Sequence, residues 1–266
     1  MKLGGIAAKI AGVPRIVYRR GLAVPIKNRW TNRFLFKHVL THIIANSEET
    51  KRTILANLSH IVDANDIKVI YNGIDIQKYG SSVEPLFPRT KQLIVGNAGR
   101  LSEEKGQSHL IAIAEILRSK NLDFKIVIAG NGNLTNNLKA QIQEKDLEDY
   151  VQLLGYVDEM DRFMHAIDIF VLTSHWEGFG YVMVEAMLQK KPVIAYNTSS
   201  MPEVVLDGKT GLLVDYPDTS VFAEKIEQLY HEEELRKQYG QAGYQSALDR
   251  FELNKQIKKF EQFILS

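Results

Sequence analysis

Short, unbroken apolar runs rich in β-branched residues recur along this chain. Between them lie longer stretches in which apolar positions return every three to four residues. The short runs are "RIVYR" (15–19), "HIIAN" (42–46), "IKVIYN" (67–72), "LIVGNAG" (93–99), "FKIVIAG" (124–130), "VQLLG" (151–155), "IFVLT" (169–173), "PVIAY" (192–196) and "GLLVD" (211–215). They lack polar alternation, which marks strands buried on both faces of a parallel sheet. The longer stretches predict helices. "HLIAIAEILRSK" (109–120) has apolar residues at helical spacing, and "SEETKRTILANL" (47–58) opens with a serine cap and two acids in its first turn. Strand–helix–strand order repeated in this way predicts an α/β chain with open, doubly wound sheets.

The pattern lapses once, at "GSSVEPLFPRTK" (80–91), a Ser- and Pro-containing stretch that reads as a linker. The division expected from it is a first domain over 1–88, a second over 89–250 and a closing helix over 251–266. The second holds enough strands for one complete nucleotide-binding-type domain. The first shows three, a partial Rossmann-like sheet. The closing helix carries Phe251, Ile257, Phe260, Phe263 and Ile264 on one side.

Composition narrows the picture. The chain has 266 residues, 45% of them hydrophobic, and no cysteine, so disulfides and cysteine metal sites are excluded. No run of uncharged apolar residues is long enough to span a bilayer, and no leader pattern opens the chain; a cytoplasmic protein is the expectation. The net charge of +1 hides a split. Residues 1–47 hold nine Lys or Arg and no acid, and Glu48 is the first carboxylate. This predicts an anionic partner near the basic end, or simply a solvated basic face. Arg15, Arg19, Arg20, Lys27, Arg29, Arg33 and Lys37 interleave with Trp30, Phe34 and Phe36, so residues 15–37 suggest peripheral contact with an anionic membrane at its inner face.

In doubly wound sheets ligands bind at the carboxyl ends of strands, and four loops there carry suggestive residues. "GRLSEEKG" (99–106) sets Arg100 and Lys105 after Gly99, a cation pair that suits a diphosphate, although alone it also reads as an exposed turn. "GNG" (130–132), with Gly130 and Asn131, is half a dinucleotide fingerprint or a plain tight turn. "GYVDEMD" (155–161), with Tyr156 and Val157, either passes under a base through its backbone or connects strand to helix with Asp158 as the cap. "EGFGYVMVEAM" (177–187) runs from a glycine turn into a helix. Gly178 and Gly180 let the backbone approach a ligand, and the helix offers free N–H groups to an anion. Glu177 lies in the turn and Glu185 inside the helix, on the order of 10 Å apart at ~1.5 Å per residue. That separation is too wide for a retaining-hydrolase carboxylate pair at ~5–5.5 Å, and suits two hydroxyl-bearing parts of one extended ligand.

Taken in order, "NGID" (72–75), "GRLSEEKG", "IVIAGNG" (126–132), "VQLLGYV" (151–157), "DIFVLTSHWEGFGYVMVEAM" (168–187), "KPVIA" (191–195) and "PEVVLDGKTGLLV" (202–214) resemble the group 1 (GT4-type) retaining glycosyltransferases. The resemblance spans essentially the whole chain. It implies a GT-B fold of two Rossmann-like domains, the second binding a nucleotide diphosphate sugar. Arg100 and Lys105 match the pair that neutralises the leaving diphosphate. Glu177 matches the glutamate that meets sugar hydroxyls, and Glu185 the one that takes the ribose. Phe179, Gly180, Tyr181 and Val182 match the turn that approaches sugar and phosphates. The resemblance implies no metal and no cofactor, and the chain has no Asp-x-Asp pair.

The chain also departs from that family. The usual first strand, its glycine-rich loop and a later histidine have no counterpart, and His38, His42, His60, His109, His165 and His175 are not matches for it. About a hundred residues of such a domain are expected before Met1, judged against a usual ~100–150. An incomplete first sheet would expose an edge that invites self-association. The resemblance thus implies sugar transfer to a glycan or lipid-linked acceptor in surface polysaccharide or glycolipid synthesis, with no nucleic-acid partner. The alternatives are a non-catalytic nucleotide-sugar-binding or assembly protein and a nucleotide-sugar epimerase of similar fold.

Overall fold

A computed structural model describes residues 2–79, 84–88 and 90–265. Parts of the stretch read as a linker, residues 80–83 and 89, lie outside them. The chain forms two compact units. One comprises residues 1–74, 177–179 and 251–266; the other comprises 75–176 and 180–250.

The first unit is built on three parallel strands in the order β1 (Val17–Arg20), β2 (His42–Ala45) and β3 (Ile67–Val69). Ile43 and Ile44 of β2 pair with neighbours on both sides, Tyr18 and Arg19 on one and Ile67 and Lys68 on the other. Helix α1 (Lys2–Ile10) leads in. A short helix α2 (Trp30–Phe34) continues as a π-helical turn over Leu35–Val39, and α3 (Glu48–Leu58) connects β2 to β3. Ile26, Phe36, Ile43, Ile54, Leu58 and Ile67 form its core, with Leu35 and Val39 packing on Ile16.

This packing corrects the expected basic–aromatic surface. Phe36 is buried, its ring edge-on to Tyr18 at 5.4 Å. Arg19 donates to the Asn72 side chain at 2.5 Å, and Arg20 to Tyr18 Oη and the Val24 carbonyl. Trp30 and Phe34 remain exposed, as do Lys27, Arg29, Arg33 and Lys37.

The second unit is a six-stranded, all-parallel sheet. Its strands are β4 (Leu93–Ala98), β5 (Phe124–Ala129), β6 (Val151–Gly155), β7 (Ile169–Leu172), β8 (Val193–Tyr196) and β9 (Gly211–Val214), in the order β6-β5-β4-β7-β8-β9. β4 is buried at every position, as its unbroken apolar run requires. The helices of this unit are α4 (Gln107–Ser119), α5 (Thr135–Glu144), α6 (Met160–Ala166), α7 (Tyr181–Leu188), α8 (Met201–Val204), α9 (Thr219–His231) and α10 (Glu233–Phe251), whose last residue, like all of α11 (Leu253–Leu265), groups with the first unit. The chain moves outward from β4 to β6 and returns through α6 to β7, beside β4. That reversal makes the carboxyl ends near β4 and β7 the place where such sheets bind ligands.

Two local details differ from the sequence reading. Asp75 to Tyr79 group with the second unit although they precede the linker. Asp158 does not cap α6: the capping position is Glu159, with no side-chain hydrogen bond, and the Asp158 carboxylate accepts from Tyr156 Oη at 3.4 Å. Among the described residues no helix is long and apolar enough to cross a membrane.

Candidate functional site

At the carboxyl ends of β4, β5 and β6, three loops enclose a pocket of about 360 Å³ lined by Gly99, Arg100, Ala129, Gly130, Asn131, Tyr156, Val157 and Met160. Backbone bonds set the loops edge to edge: Gly99 N–H donates to Ala129 O at 3.0 Å, Leu101 N–H to Asn131 O at 3.0 Å, and Gly130 N–H to Gly155 O at 2.7 Å. A Cβ at Gly130 would overlap the Gly99 carbonyl, and its φ of +143° also excludes side chains, so this close approach requires glycine. The Asn131 amide, with Nδ2 toward Gly130 O (3.1 Å) and Oδ1 toward the Tyr156 amide (3.3 Å), braces the second and third loops.

Arg100 precedes a short 3-10 turn over Glu103–Lys105, and Lys105 is the last residue of that turn. The Arg100 side chain is 68% exposed, and its guanidinium forms an ion pair with Glu104. The Glu104 carboxyl lies below the ordinary carboxylate range. Its own backbone N–H is the main cause, acting against burial, and hydrogen bonds from Ser102 and Arg100 add to it. The Lys105 stem lies over the first glycine: a Cβ on Gly99 would stand 3.8 Å from Lys105 Cδ. Gly106 ends this turn and starts α4, and the Thr173 hydroxyl at the end of β7 donates to Lys105 O at 3.3 Å.

Helix α7 starts at Gly180, left-handed at φ +77° and without a side-chain cap, and the Met183 N–H closes its first turn on Gly180 O at 3.0 Å. Tyr181 is partly exposed there, Val182 is half-buried, and Glu185 lies further along the helix. Burial raises the Glu185 carboxyl above its ordinary range, and a hydrogen bond from Tyr79 Oη at 2.7 Å opposes that rise. Burial also raises the Tyr79 phenol, with Glu185, Tyr181 and Asp161 adding to the effect. Met160 lines the pocket and the next residue, Asp161, acts electrostatically on Tyr79, so the first turn of α6 borders both.

Glu177, Gly178 and Phe179 belong to the first unit. Ser47 Oγ donates to the Gly178 carbonyl at 2.8 Å, and a Cβ on Gly178 would overlap the carbonyl of Gly21. The close approach of the Gly21 carbonyl by itself requires glycine at 178. Phe179 is buried, with ring centroids 5.9 Å from Tyr71 and 5.3 Å from Phe251. Its contribution to a ligand site would come from its backbone. Glu177 is buried as well.

The family model of glycosyl transferases group 1 matches residues 81–246, more than half of the chain. The chain belongs to this family. Among curated relatives of this group 1 chain is the capsular polysaccharide biosynthesis glycosyltransferase CapM of Staphylococcus aureus, 30% identical over 94% of this chain and 70% of that protein. Another is an Escherichia coli UDP-Gal:alpha-D-GlcNAc-diphosphoundecaprenol alpha-1,3-galactosyltransferase, 28% identical over 84% of this chain and 62% of its own length. The crystal structure of Anabaena HepE in complex with UDP and glucose superposes with a TM-score of 0.83 at 25% identity, covering 98% of this chain and 74% of that one. The fold is accordingly the α/β, parallel-sheet GT-B type.

The second unit thus brings Gly99, Arg100, Gly130, Asn131, Tyr156 and Val157 to one pocket, and Tyr181 and Glu185 to one helix, the first at its start and the second past its middle. Sequence reading missed Ala129, Met160 and Tyr79. Ala129 and Met160 look like ordinary core residues in a linear pattern, and nothing after "NGID" marks Tyr79 as a partner of a residue 106 positions later. Ser47 was legible as a helix cap but not as a donor to Gly178.

Proposed function

We propose that this group 1 chain transfers a sugar from a nucleotide diphosphate sugar to an acceptor hydroxyl, with retention of configuration. The observation that carries the reading is the pocket at the ends of β4–β6, with two cations on its first loop and an acidic, hydroxyl-accepting helix in the same unit. The backbone of Tyr156 and Val157 would lie against the base, and Glu185 would accept from the ribose. Arg100, Lys105 and the N-terminal end of α7 would meet the diphosphate. Glu177 would accept from sugar hydroxyls, with the turn through Gly178, Phe179 and Gly180 against the sugar and phosphates. In the step itself the bond from the sugar's anomeric carbon to the diphosphate oxygen breaks, and its electron pair leaves with the nucleotide diphosphate. The acceptor oxygen bonds to the same face, and its proton passes to the departing phosphate oxygen. Stabilising the charge on that leaving group is the main electrostatic task, and preorganised cations and amides can meet it without a metal.

Support for the donor class comes from the HepE complex with UDP and glucose, and for the pathway from CapM, named for capsular polysaccharide biosynthesis. The named substrate of the E. coli relative supports a lipid-linked acceptor, which would place the reaction at a membrane face. The test is calorimetry of the chain with UDP and UDP-glucose, followed by product analysis with a diphosphoundecaprenol-linked sugar. Binding that Arg100→Ala weakens about tenfold or more, with release of UDP and glycosylation of the acceptor, is the expected result. An altered sugar nucleotide would point to an epimerase, binding without product to a non-catalytic protein, and no binding would remove the reading.

A further inference from the structure

Glu185 carries the ribose in this reading, and its carboxylate is not left to itself. Tyr79 is its only side-chain hydrogen-bond partner among the described residues, and the bond goes to Oε1. The phenol stays protonated far above neutral pH, so it is always a donor here. A carboxylate turns easily about its last torsion, which has broad minima. A short bond at one oxygen fixes that plane and leaves Oε2 to accept from a ligand. The segment that supplies the phenol is itself fixed. Asp75 caps the 3-10 turn Ile76–Lys78 by accepting from Gln77 N–H at 3.1 Å, and the Tyr79 N–H closes the turn on Ile76 O at 3.1 Å. The titratable groups that act on the pair are Asp161 from α6 and Tyr181 from the first turn of α7, and Asp75 acts in turn on Tyr181. None of these is a cation, so Tyr79 is the group that favours the ionised carboxylate.

We propose that Tyr79 is a positioning residue for the donor's ribose: by holding Oε1 it presents Oε2 to a ribose hydroxyl and makes the site select ribonucleotide over deoxyribonucleotide donors. This rests on the reading of Glu185 as the ribose acceptor. The selectivity follows from what each ligand leaves unpaired. A ribonucleotide satisfies Oε2, whereas a deoxy analogue leaves a half-buried carboxylate oxygen with neither water nor a donor. Preorientation by Tyr79 sharpens the difference, because the ribose bond then forms without ordering the side chain first.

The test titrates the full chain, its Tyr79→Phe and Glu185→Gln variants, with UDP, 2′-deoxy-UDP and 3′-deoxy-UDP between pH 5.5 and 8. Phenylalanine keeps the ring and removes the hydroxyl. Tyr79→Phe is expected to weaken UDP on the order of five- to twentyfold, the loss of a hydrogen bond to a charged group. The deoxy analogue that lacks the contacted hydroxyl should change by less than about twofold, so the ribo-over-deoxy preference shrinks. The pH profile should move too. Tyr79 lowers the raised Glu185 value, so its removal raises the value further, and UDP affinity should begin to fall at a higher pH as the solution is acidified. A purely structural role for the ring predicts no such displacement. Equal weakening of all three ligands by Tyr79→Phe would overturn the proposal. Tighter UDP binding by that variant would also overturn it, since the phenol would then occupy space the ribose needs. Glu185→Gln separates the two readings. If that variant keeps the wild-type preference, the ribose role of Glu185 itself fails; if it loses the preference and Tyr79→Phe does not, the positioning role alone fails.

Discussion

Arg100 shows how a residue's neighbours change what its identity implies. In sequence it is one half of a cation pair poised for a diphosphate. In the structure its guanidinium already has an anionic partner, Glu104, four residues away. A diphosphate that binds Arg100 must compete with that carboxylate. The pair is largely exposed on the arginine side, so breaking it costs only about 0–1 kcal/mol. Glu104→Gln should therefore tighten UDP binding by about two- to fivefold, an effect that shrinks as salt is raised. Calorimetry at low and high ionic strength checks this. Unchanged or weaker binding at low salt would mean that Glu104 holds Arg100 in its working position instead of competing for it. The pattern made Arg100, Lys105 and Glu185 legible because each is a charge next to a strand end or inside an apolar helix. The Tyr79 partner of Glu185 was not legible, because a contact across 106 positions is chosen by three-dimensional proximity; Glu104 stands only four residues from Arg100 and was missed for lack of a regular helix there to set the spacing.

The elements were the most readable scale. All nine strands of the described residues form where the apolar runs lie: β4, β7 and β8 are buried at every position and cannot hide their composition, whereas β1, expected to be covered on both faces, has no buried position. The Ser47 cap of α3 was readable for a similar reason, since its hydroxyl accepts from Thr50 N–H at 3.0 Å in the usual way. The π-helical turn over Leu35–Val39 was not, because it keeps an apolar face that an α-helix would show equally well. Nor was the tie between α3 and the 177–179 turn, which spans 131 positions of chain. That tie gives Ser47 two duties, closing the helix and satisfying the Gly178 carbonyl. Ser47→Ala should cost about 2 kcal/mol, one part for the cap and one for the carbonyl left short of a donor. Asp63→Ala is the comparison within the same unit. It removes only an exposed cap, the bond from Asn65 N–H at 2.8 Å, and should cost about 0.5–1 kcal/mol. Urea denaturation of both variants decides the point: equal losses would show that the bond to Gly178 contributes nothing to stability.

At the scale of the molecule the sequence placed the charge split, and the structure changes which residues can use it. Of the interleaved set, Phe36 is in the core and Arg19 and Arg20 are engaged by neighbouring groups. What remains on the surface is more compact. Along the helical run 30–39, Asn32, Leu35, Phe36 and Val39 are buried, while Trp30, Arg33, Phe34 and Lys37 are exposed. Trp30 is 72% exposed and Phe34 45%, an unusual cost for two large aromatic rings in water unless something covers them. Among the described residues Lys27, Arg29, Arg33 and Lys37 form no ion pair. Aromatic rings beside unpaired cations suit an anionic bilayer surface, where each cation near the headgroups contributes about 1 kcal/mol and the rings sit at the interface. Such a contact would hold the protein beside a lipid-linked acceptor. The chain should sediment with vesicles containing phosphatidylglycerol at low salt and be released at about 0.5 M salt, where screening acts within a few ångströms. Arg33→Glu with Lys37→Glu should abolish sedimentation, and Trp30→Ser should weaken it without removing its salt dependence. Equal binding to neutral and anionic vesicles would rule out the electrostatic contact. No binding to either would leave the basic stretch as a solvated face, and the positioning of the acceptor would have to come from elsewhere in the chain.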